Sequence, residues 1–191
     1  MIGARAASVV VLVVMVVAAA RPVCAQPGTW PTAVEQLDLQ ALAGDWYEAA
    51  SYGSWSHRRC LADTRFAWTV RDVRTLDVRS ACTTATGEET RSGRLRAPES
   101  HVGRLAVRFA PAILTWLPAA WSDHWVIAVD TESNWVLVGD RRRERLSLLS
   151  RWASPDEASM ARAIGIARAQ GFDVDRLAKV LQSRLAPART R

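Results

Sequence analysis

Two kinds of apolar pattern divide the chain. Residues 6–20 form one continuous apolar run behind a short basic start, whereas from Gly44 onward short runs rich in Trp, Val, Leu and Thr alternate with turn residues. Short runs of this kind, separated by turns, predict β-strands. The predicted strands are 45–54, 62–71, 76–84, 90–96, 104–109, 124–130, 135–139 and 146–151. Eight consecutive antiparallel strands can close into an all-β up-and-down barrel with room for one small ligand.

One helix is predicted after the strands. Ser154 stands three residues before Glu157, with Pro155 between them, which is the arrangement of a capping box with proline in the first turn. The apolar positions that follow share one helical face: Met160, Ala163, Ile164 and Ala167. Gly171 is the predicted stop. We expect the helix to lie against the barrel wall, and residues 172–182 to add a short closing strand or turn.

The apolar run at 6–20 is predicted to be an export signal rather than a membrane span. Its 15 residues are too few for a hydrocarbon core about 30 Å thick. Val23 and Ala25 occupy the two positions that a signal peptidase inspects, so we expect cleavage before Gln26 and a periplasmic location. The expected organisation is a leader at 1–25, an arm at 26–33, a barrel with its helix at 34–182 and a disordered basic tail at 183–191.

Three cysteines bear on this location. Cys24 follows Arg21 and Val23 rather than the Leu and small residues that precede a lipid-modified cysteine, so an outer-membrane lipoprotein is the less favoured alternative. Cys60 and Cys82 would reach an oxidising compartment, where an even pair usually forms a disulfide. Cys60 would then sit on the loop entering its strand and reach the neighbouring strand near one end of the barrel. Two buried thiols are the alternative.

Composition and charge restrict the class of partner. Of 191 residues, 49% are hydrophobic and 23% are charged, as in ordinary globular proteins. The 25 basic residues include one lysine, Lys179, and give a net charge of +6 that falls to +4 without Arg5 and Arg21. Because this excess is mild and spread along the predicted strands, we expect no nucleic-acid partner.

Several segments together resemble the lipocalin family. GDWYE at 44–48 is similar to the family's glycine-x-tryptophan signature at the start of the first strand. DHWVI at 123–127, LSR at 149–151, the capped helix and GFDV at 171–174 agree with it in order and spacing. The resemblance is nearest to the bacterial lipocalin branch, whose cysteine pair this chain shares. It covers about 34–182 and implies an eight-stranded antiparallel barrel with one C-terminal helix outside.

The resemblance implies structural roles for two residues. Trp46 would close the base of the barrel, and the guanidinium of Arg151 would stack on its indole, a cation-π contact worth about 0.5 to 2 kcal/mol. The chain also departs from the family, because 130–134 replaces the usual Thr-Asp-Tyr turn. Arg145 and Ser147 stand where bacterial relatives carry Tyr and Trp. If they face inward, we expect a cavity that is larger than those of the relatives and that has one wall of greater polarity.

Alternation along the strands from Trp46 and Arg151, together with the resemblance, predicts which side chains face the lumen. The residues assigned to ligand contact are Glu48, Tyr52, Phe66, Trp68, His124, Val126, Ser147 and Leu149. Ala50, Val70 and Ala128 share these faces. Filling of the core is the alternative role at each position, and a buried Glu48 needs a partner or a proton.

The loops after the first, third, fifth and seventh strands are expected at the mouth, opposite Trp46. The predicted mouth residues are Trp55, His57, Arg58, Arg59, Ile113, Leu114, Trp116, Leu117, Trp121, Arg141, Arg142 and Arg143. Aromatic and basic residues at one rim suit a lipid with an apolar tail and an anionic head, or peripheral contact with an anionic membrane surface. A hydrophobic lid with solvated charges is the alternative.

Catalytic and metal-binding motifs are not evident. The histidines His57, His101 and His124 lie far apart in the sequence, and no nucleophile elbow or phosphate loop accompanies them. We therefore expect no metal, no cofactor and no enzyme activity. The leading hypothesis is an exported protein that captures, stores or transports a hydrophobic or amphipathic molecule such as a fatty acid or lysophospholipid. The alternatives are a thiol-dependent, isomerase-like lipid enzyme and an envelope protein-protein interaction module, and either a monomer or a homodimer is compatible.

Overall fold

The computed structural model describes residues 29–53, 59–109, 111–114 and 116–183. The predicted leader, nearly all of the predicted tail, and Trp55, His57 and Arg58 lie outside these ranges. No helix within them is long and apolar enough to cross a membrane.

The described residues form an antiparallel barrel. Its strands are β1 (Gly44–Tyr52), β2 (Ala62–Asp72), β3 (Thr75–Thr84), β4 (Gly87–Arg96), β5 (Arg104–Arg108), β6 (Ser122–Val129), β7 (Trp135–Gly139) and β8 (Leu146–Ser150), followed by helix α1 (Glu157–Ala169) and a short β9 (Ala178–Lys179). Each strand from β1 to β8 pairs with the next, and β1 also pairs with β8, which closes the barrel. The predicted eight-stranded barrel with one outer helix is confirmed.

Trp46 closes the base of the barrel. Its side chain is fully buried, and its indole Nε1 donates to the carbonyl of Leu42 at 2.8 Å. The Trp68 ring lies above it, with 5.6 Å between the ring centroids. Aromatic pairs at this separation add to the stability gained from burial alone. The floor is therefore an interlocked apolar layer rather than a single plug.

Arg151 seals the base from below, as the resemblance implied. Its guanidinium carbon lies 3.7 Å from the centroid of the Trp46 ring. The same group donates to the carbonyls of Ala41 at 2.9 Å and Asp45 at 3.1 Å. Gly44 has a φ of +106°, and a Cβ there would stand 3.0 Å from Arg151 Nη1. The glycine of the GDWYE signature therefore supplies both the backbone conformation and the space that the arginine needs.

A bulge in β1 corrects the predicted lumen face of that strand. Glu48 pairs with Leu149, but the next pair is Ala50 with Leu148, so one residue of β1 has no partner opposite. An extra residue reverses the alternation beyond it. Tyr52, predicted to face inward, therefore belongs to the outer cluster beneath α1. Ala50, also predicted to face inward, pairs with Leu148 of that cluster and so lies on the same outer side.

A second bulge has the same effect in β6. Val126 pairs with Val138, and Ala128 pairs with Leu137, which leaves Ile127 unmatched. Ala128 was predicted to face the lumen, but it packs with Leu137 in the outer cluster. In both strands, therefore, the alternation of inward and outward side chains reverses at a bulge, and the prediction fails from the next residue onward.

The predicted helix forms, but its cap is Asp156 rather than Ser154. The Asp156 carboxylate accepts hydrogen bonds from the amide of Ser159 at 2.8 Å and from its hydroxyl at 2.9 Å. A carboxylate cap also interacts favourably with the helix dipole. The helix buries Ala163 and Ala167 fully against the barrel.

The upper seam between β1 and β2 is closed by the C-terminal segment 178–183. The two strands pair directly only as far as Tyr47. Beyond this point the side chain of Gln182 donates to the main-chain oxygens of Glu48 at 2.9 Å and Thr64 at 3.2 Å, one on each strand. The predicted short closing strand is present as β9, which pairs with β1.

Candidate functional site

A cavity of about 210 Å³ lies inside the barrel above the floor. Apolar side chains of Phe66, Val107 and Phe109 form much of its wall, and hydroxyl groups of Thr64 and Ser80 interrupt them. A mostly apolar lining with a few placed polar groups is typical of a small-molecule site.

The eight predicted ligand residues fall into three groups. Glu48, Phe66, His124 and Ser147 line the cavity. Trp68, Val126 and Leu149 are buried in the cluster that forms the floor beneath it. Tyr52 is outside the lumen because of the β1 bulge, and its hydroxyl donates to the carbonyl of Arg143 at 3.0 Å. Burial raises the pKa of Tyr52 to about 12, so this hydroxyl stays a neutral donor.

Glu48 places a buried carboxyl group on the cavity wall. The residue is 2% exposed, and its Oε1 accepts a hydrogen bond from the Ser147 hydroxyl at 2.8 Å. Glu48 is the last inward residue of β1 before the bulge and pairs with Leu149 of the neighbouring strand β8. Its side chain reaches diagonally to Ser147, two residues earlier on β8. A hydrogen bond to a buried carboxyl group offsets part of the cost of removing it from water.

His124 is the imidazole of the cavity. Burial lowers its pKa to about 4, and the positive charge of Arg145 acts in the same direction. The ring is therefore neutral near pH 7 and offers one donor and one acceptor. It meets the indole of Trp68 edge-on, with 6.3 Å between ring centroids. Trp68 Nε1 is buried and has no hydrogen-bond partner within the described part of the chain.

Charged groups surround the upper part of the cavity. Glu89, Asp123 and Arg145 contribute to its lining. Arg145 Nε lies 3.7 Å from an oxygen of Asp140. Arg145 and Ser147, which depart from the pattern of bacterial lipocalins, both line the cavity, and the wall that they share is polar.

The cysteines form a disulfide between Cys60 and Cys82, with 5.5 Å between their Cα atoms. Cys60 precedes β2 and Cys82 lies near the end of β3, as predicted. Both residues line the cavity. The bridge fixes the loop that enters β2 to the barrel wall beside the site.

Two of the predicted mouth arginines form ion pairs. Arg59 lies 3.8 Å from Glu89, and Arg141 lies 3.1 Å from Asp123. Arg142 is exposed. In the loop between β5 and β6, apolar side chains face solvent at the mouth: Ile113 is 79% exposed and Trp116 is 77% exposed.

Two predicted mouth residues point elsewhere. Trp121 is stacked by Arg96 at 4.5 Å and Arg108 at 5.4 Å, on the outer side of the wall, because the next residue, Ser122, faces the cavity. The Arg143 side chain turns towards α1 and donates to the carbonyl of Gln170 at 2.7 Å. A basic group at the end of a helix satisfies a carbonyl that has no partner within the helix.

No group of His, Cys, Asp and Glu side chains within the described ranges is arranged to hold a metal ion.

Comparison with known proteins identifies the family. The lipocalin-like domain family matches residues 37–182. The chain belongs to the lipocalin family. Temperature-induced lipocalin-1 of Arabidopsis thaliana is 30% identical over 158 residues, which cover 81% of this chain and 84% of the plant protein.

Solved lipocalin structures share the fold. Insecticyanin from the tobacco hornworm Manduca sexta matches with a TM-score of 0.62 and 16% identity, over 87% of this chain and 90% of its own. Lobster apocrustacyanin A1 matches with a TM-score of 0.60 and 15% identity, over 78% and 81%. At such identity the likeness concerns the fold alone.

Sequence reasoning missed part of the cavity of this lipocalin, namely the residues that β3 and β4 contribute. Ser80 pairs with Phe66, and Glu89 pairs with Cys82, so both lie on the inward face. The same alternation that selected Phe66 could have found them once the β2-β3 register was known. Their small or charged side chains gave no hydrophobic signal.

Proposed function

We propose that this lipocalin is an exported binding protein that captures, stores or transports a small hydrophobic or amphipathic molecule in its barrel. The observation that carries the proposal is the cavity of about 210 Å³ above a sealed floor. Its wall combines apolar side chains with a few polar groups, which can fix the orientation of one ligand. Membership of a family of binding proteins agrees with this role.

The size of the cavity bears on the predicted fatty acid or lysophospholipid. Sites for drug-sized ligands are usually about 300 to 1,000 Å³, so this cavity encloses only part of such a lipid. The remainder of a long chain would pass the exposed Ile113 and Trp116 at the mouth. We propose that a long lipid binds with one end enclosed and the other against these residues.

We also propose that the protein is exported to the periplasm and belongs to the bacterial branch of the lipocalin family. The basic start and apolar run of residues 1–20 support export. The Cys60–Cys82 disulfide agrees with it, because such bonds persist in oxidising compartments. Sequencing the N-terminus of protein recovered from the expressing cells tests the expected start at Gln26. Retention of residue 1 in the recovered protein would contradict export by cleavage.

The disulfide favours the leading hypothesis over the enzyme alternative. An isomerase-like mechanism at the mouth needs a free thiol, and Cys60 and Cys82 are joined to each other. The interaction-module alternative was expected to show an occluded lumen, whereas the barrel holds a cavity. Both observations favour binding of a small molecule.

A blocking substitution tests the proposal. Ser80 lines the cavity, while the adjacent Arg79 faces outward and is exposed. Ser80→Trp should fill the lumen and abolish binding of the neutral fluorescent probe N-phenyl-1-naphthylamine, whereas Arg79→Trp on the same strand should leave it intact. Titration of probe fluorescence measures both, and circular dichroism checks that each variant is folded. Equal binding by the wild type and Ser80→Trp would show that the probe does not occupy the barrel.

A further inference from the structure

We propose that Arg145 and His124 together bind a carboxylate at the head of an apolar chain, so that the ligand of this cavity is an aliphatic acid. This inference rests on the proposed function and specifies the chemistry of the same cavity. It differs from the expectation of an anionic head group held at the mouth by Arg141, Arg142 and Arg143.

The strand register brings the two side chains to one level of the barrel. Trp125 of β6 pairs with Gly139 of β7, and Gly139 pairs with Leu146 of β8. His124 and Arg145 each lie one residue nearer the mouth than this row, and both line the cavity. Their backbones are two strand spacings apart, about 10 Å, which a long arginine side chain can largely span. The charge of Arg145 lowers the pKa of His124, which agrees with this proximity.

Both side chains carry hydrogen-bonding groups that the fold does not use. The imidazole of His124 is neutral near pH 7, and neither of its nitrogens is hydrogen-bonded within the described part of the chain. Arg145 forms an ion pair with Asp140, but its Nε lies 3.7 Å from the carboxylate, too far for a hydrogen bond. Asp140 accepts instead from the amides of Arg142 and Glu144. Because an unpaired polar group withdrawn from water is costly, the imidazole in particular indicates a place for a ligand group.

The chemistry of the pair favours a carboxylate. A guanidinium has N–H donors in one plane and no acceptor, and two of these donors can bind both oxygens of a carboxylate. The N–H of the neutral imidazole can donate a further hydrogen bond. An ammonium group would instead meet a like charge at Arg145. Because the Arg145 side chain is 47% exposed, the carboxylate would keep part of its hydration while its chain enters the cavity.

Three carboxyl-bearing residues among those described also line the cavity, but they lie apart from the pair or are bound to other arginines. Glu48 pairs with β8 four residues beyond Arg145, a distance of about 13 Å along the strand. Asp123 forms an ion pair with Arg141 at 3.1 Å. Glu89, on β4, forms one at 3.0 Å with an arginine of its own strand. None of the three therefore occupies the hydrogen-bonding groups of the proposed pair.

The test compares ligands that differ only in their polar group. Hexanoate, hexan-1-ol and hexylamine carry the same chain for the apolar wall that includes Phe66 and Val107. Each is titrated at pH 7 against wild-type protein holding N-phenyl-1-naphthylamine, and displacement of the probe gives the affinities. Hexanoate should bind at least about tenfold more tightly than hexylamine, because Arg145 attracts the acid and repels the amine. Acetate has the carboxylate without the chain and should displace no probe at the same concentrations.

Two arginine substitutions assign the preference to one guanidinium. Arg145→Gln removes the charge and should weaken hexanoate at least about fivefold, while the affinity for hexan-1-ol changes less than about twofold. Arg142→Gln makes the same change at an exposed position of the adjoining turn and should alter every affinity less than about twofold. Equal losses of hexanoate affinity in the two variants would overturn the assignment to Arg145, and so would wild-type protein that binds hexylamine as tightly as hexanoate.

Two substitutions and one spectrum test the part played by His124. His124→Phe keeps a ring without its nitrogens and should weaken hexanoate at least about threefold, whereas His124→Gln keeps a donor and should retain more of the affinity. In wild-type protein, hexanoate should shift the imidazole nitrogen resonances of His124 more than hexan-1-ol does. Resonances that stay unchanged at saturating hexanoate would overturn the assignment to this residue.

The outcomes separate this inference from the proposed function. If the probe fails to bind wild-type protein, or if Ser80→Trp fails to block it, the proposed function fails and the inference with it. If the probe binds in the barrel but the ligands show no preference for the acid, the inference alone fails. Displacement by acetate as effective as that by hexanoate would also overturn it, because the chain would then contribute nothing. The wild-type series needs no substitution, so it decides the question even if a variant does not fold.

Discussion

Acid should destabilise this protein through His124. The imidazole is half-buried and lines the cavity. Burial lowers its pKa from 6.5 to about 4, with a further contribution in the same direction from Arg145. The folded state therefore resists a proton that the unfolded chain accepts readily.

The size of the effect follows from the two pKa values. Above pH 6.5 the ring is neutral in both states and contributes nothing. As the pH falls below 6.5 the unfolded state binds the proton first, so the free energy of unfolding decreases by about 1.4 kcal/mol per pH unit. The loss ends at the folded-state pKa of about 4, and the whole window amounts to about 3 kcal/mol.

The assay is urea unfolding at pH 7 and at pH 4, for wild-type protein and for His124→Gln. Carboxyl groups that titrate in this range contribute equally to both proteins, so the difference between the two pH dependences isolates His124. Wild-type protein should lose about 3 kcal/mol more than the variant. His101→Gln, at an exposed position between β4 and β5, is the matched control and should behave like the wild type. Parallel curves for wild type and His124→Gln, or an imidazole resonance of His124 that titrates near pH 6.5, would refute the reasoning.

Three further predictions concern the framework. Trp46→Ala should cost about 3 to 5 kcal/mol, and a double-mutant cycle with Arg151→Ala should reveal a coupling of about 0.5 to 2 kcal/mol; additive effects would show that the stacked contact contributes nothing. Replacing both bridged cysteines by serine should lower the free energy of unfolding by about 3 kcal/mol, and peptide mapping without reductant that recovers unlinked thiols would contradict the bridge. Arg143→Glu should lower the melting temperature because it removes the hydrogen bond to the carbonyl of Gln170, the residue that caps α1. The control Arg142→Glu should leave the melting temperature unchanged, and equal melting temperatures for the two variants would contradict this role of Arg143.

The sequence was sufficient to predict the barrel because strand alternation, turn residues and helix capping are each local signals that span only a few residues. The alternation located Glu48 correctly, since this residue lies only two positions after Trp46. It failed at Tyr52 because the bulge in β1 falls within Glu48–Ala50, where neither glycine nor proline marks an irregularity. A single unmarked insertion therefore moved a tyrosine from the lumen to the outer wall.

Side chains in the mouth loops were harder to predict than those in strands. The direction of Arg143 depends on a carbonyl of Gln170, 27 residues away in the sequence. The direction of Trp121 depends on two arginines from other strands. The position of a loop in the sequence predicts which end of the barrel its residues occupy. The direction of each side chain, however, depends on contacts with residues that are distant in the sequence.

The seam between β1 and β2 has a consequence for the timing of folding. Gln182, which joins the two strands, lies 134 residues beyond Glu48 in the chain. During synthesis β1 emerges early but lacks this partner until almost all of the domain has been made. Contacts between such distant residues form slowly. If the chain is exported as proposed above, this delay is an advantage, because the barrel stays incomplete while translocation proceeds.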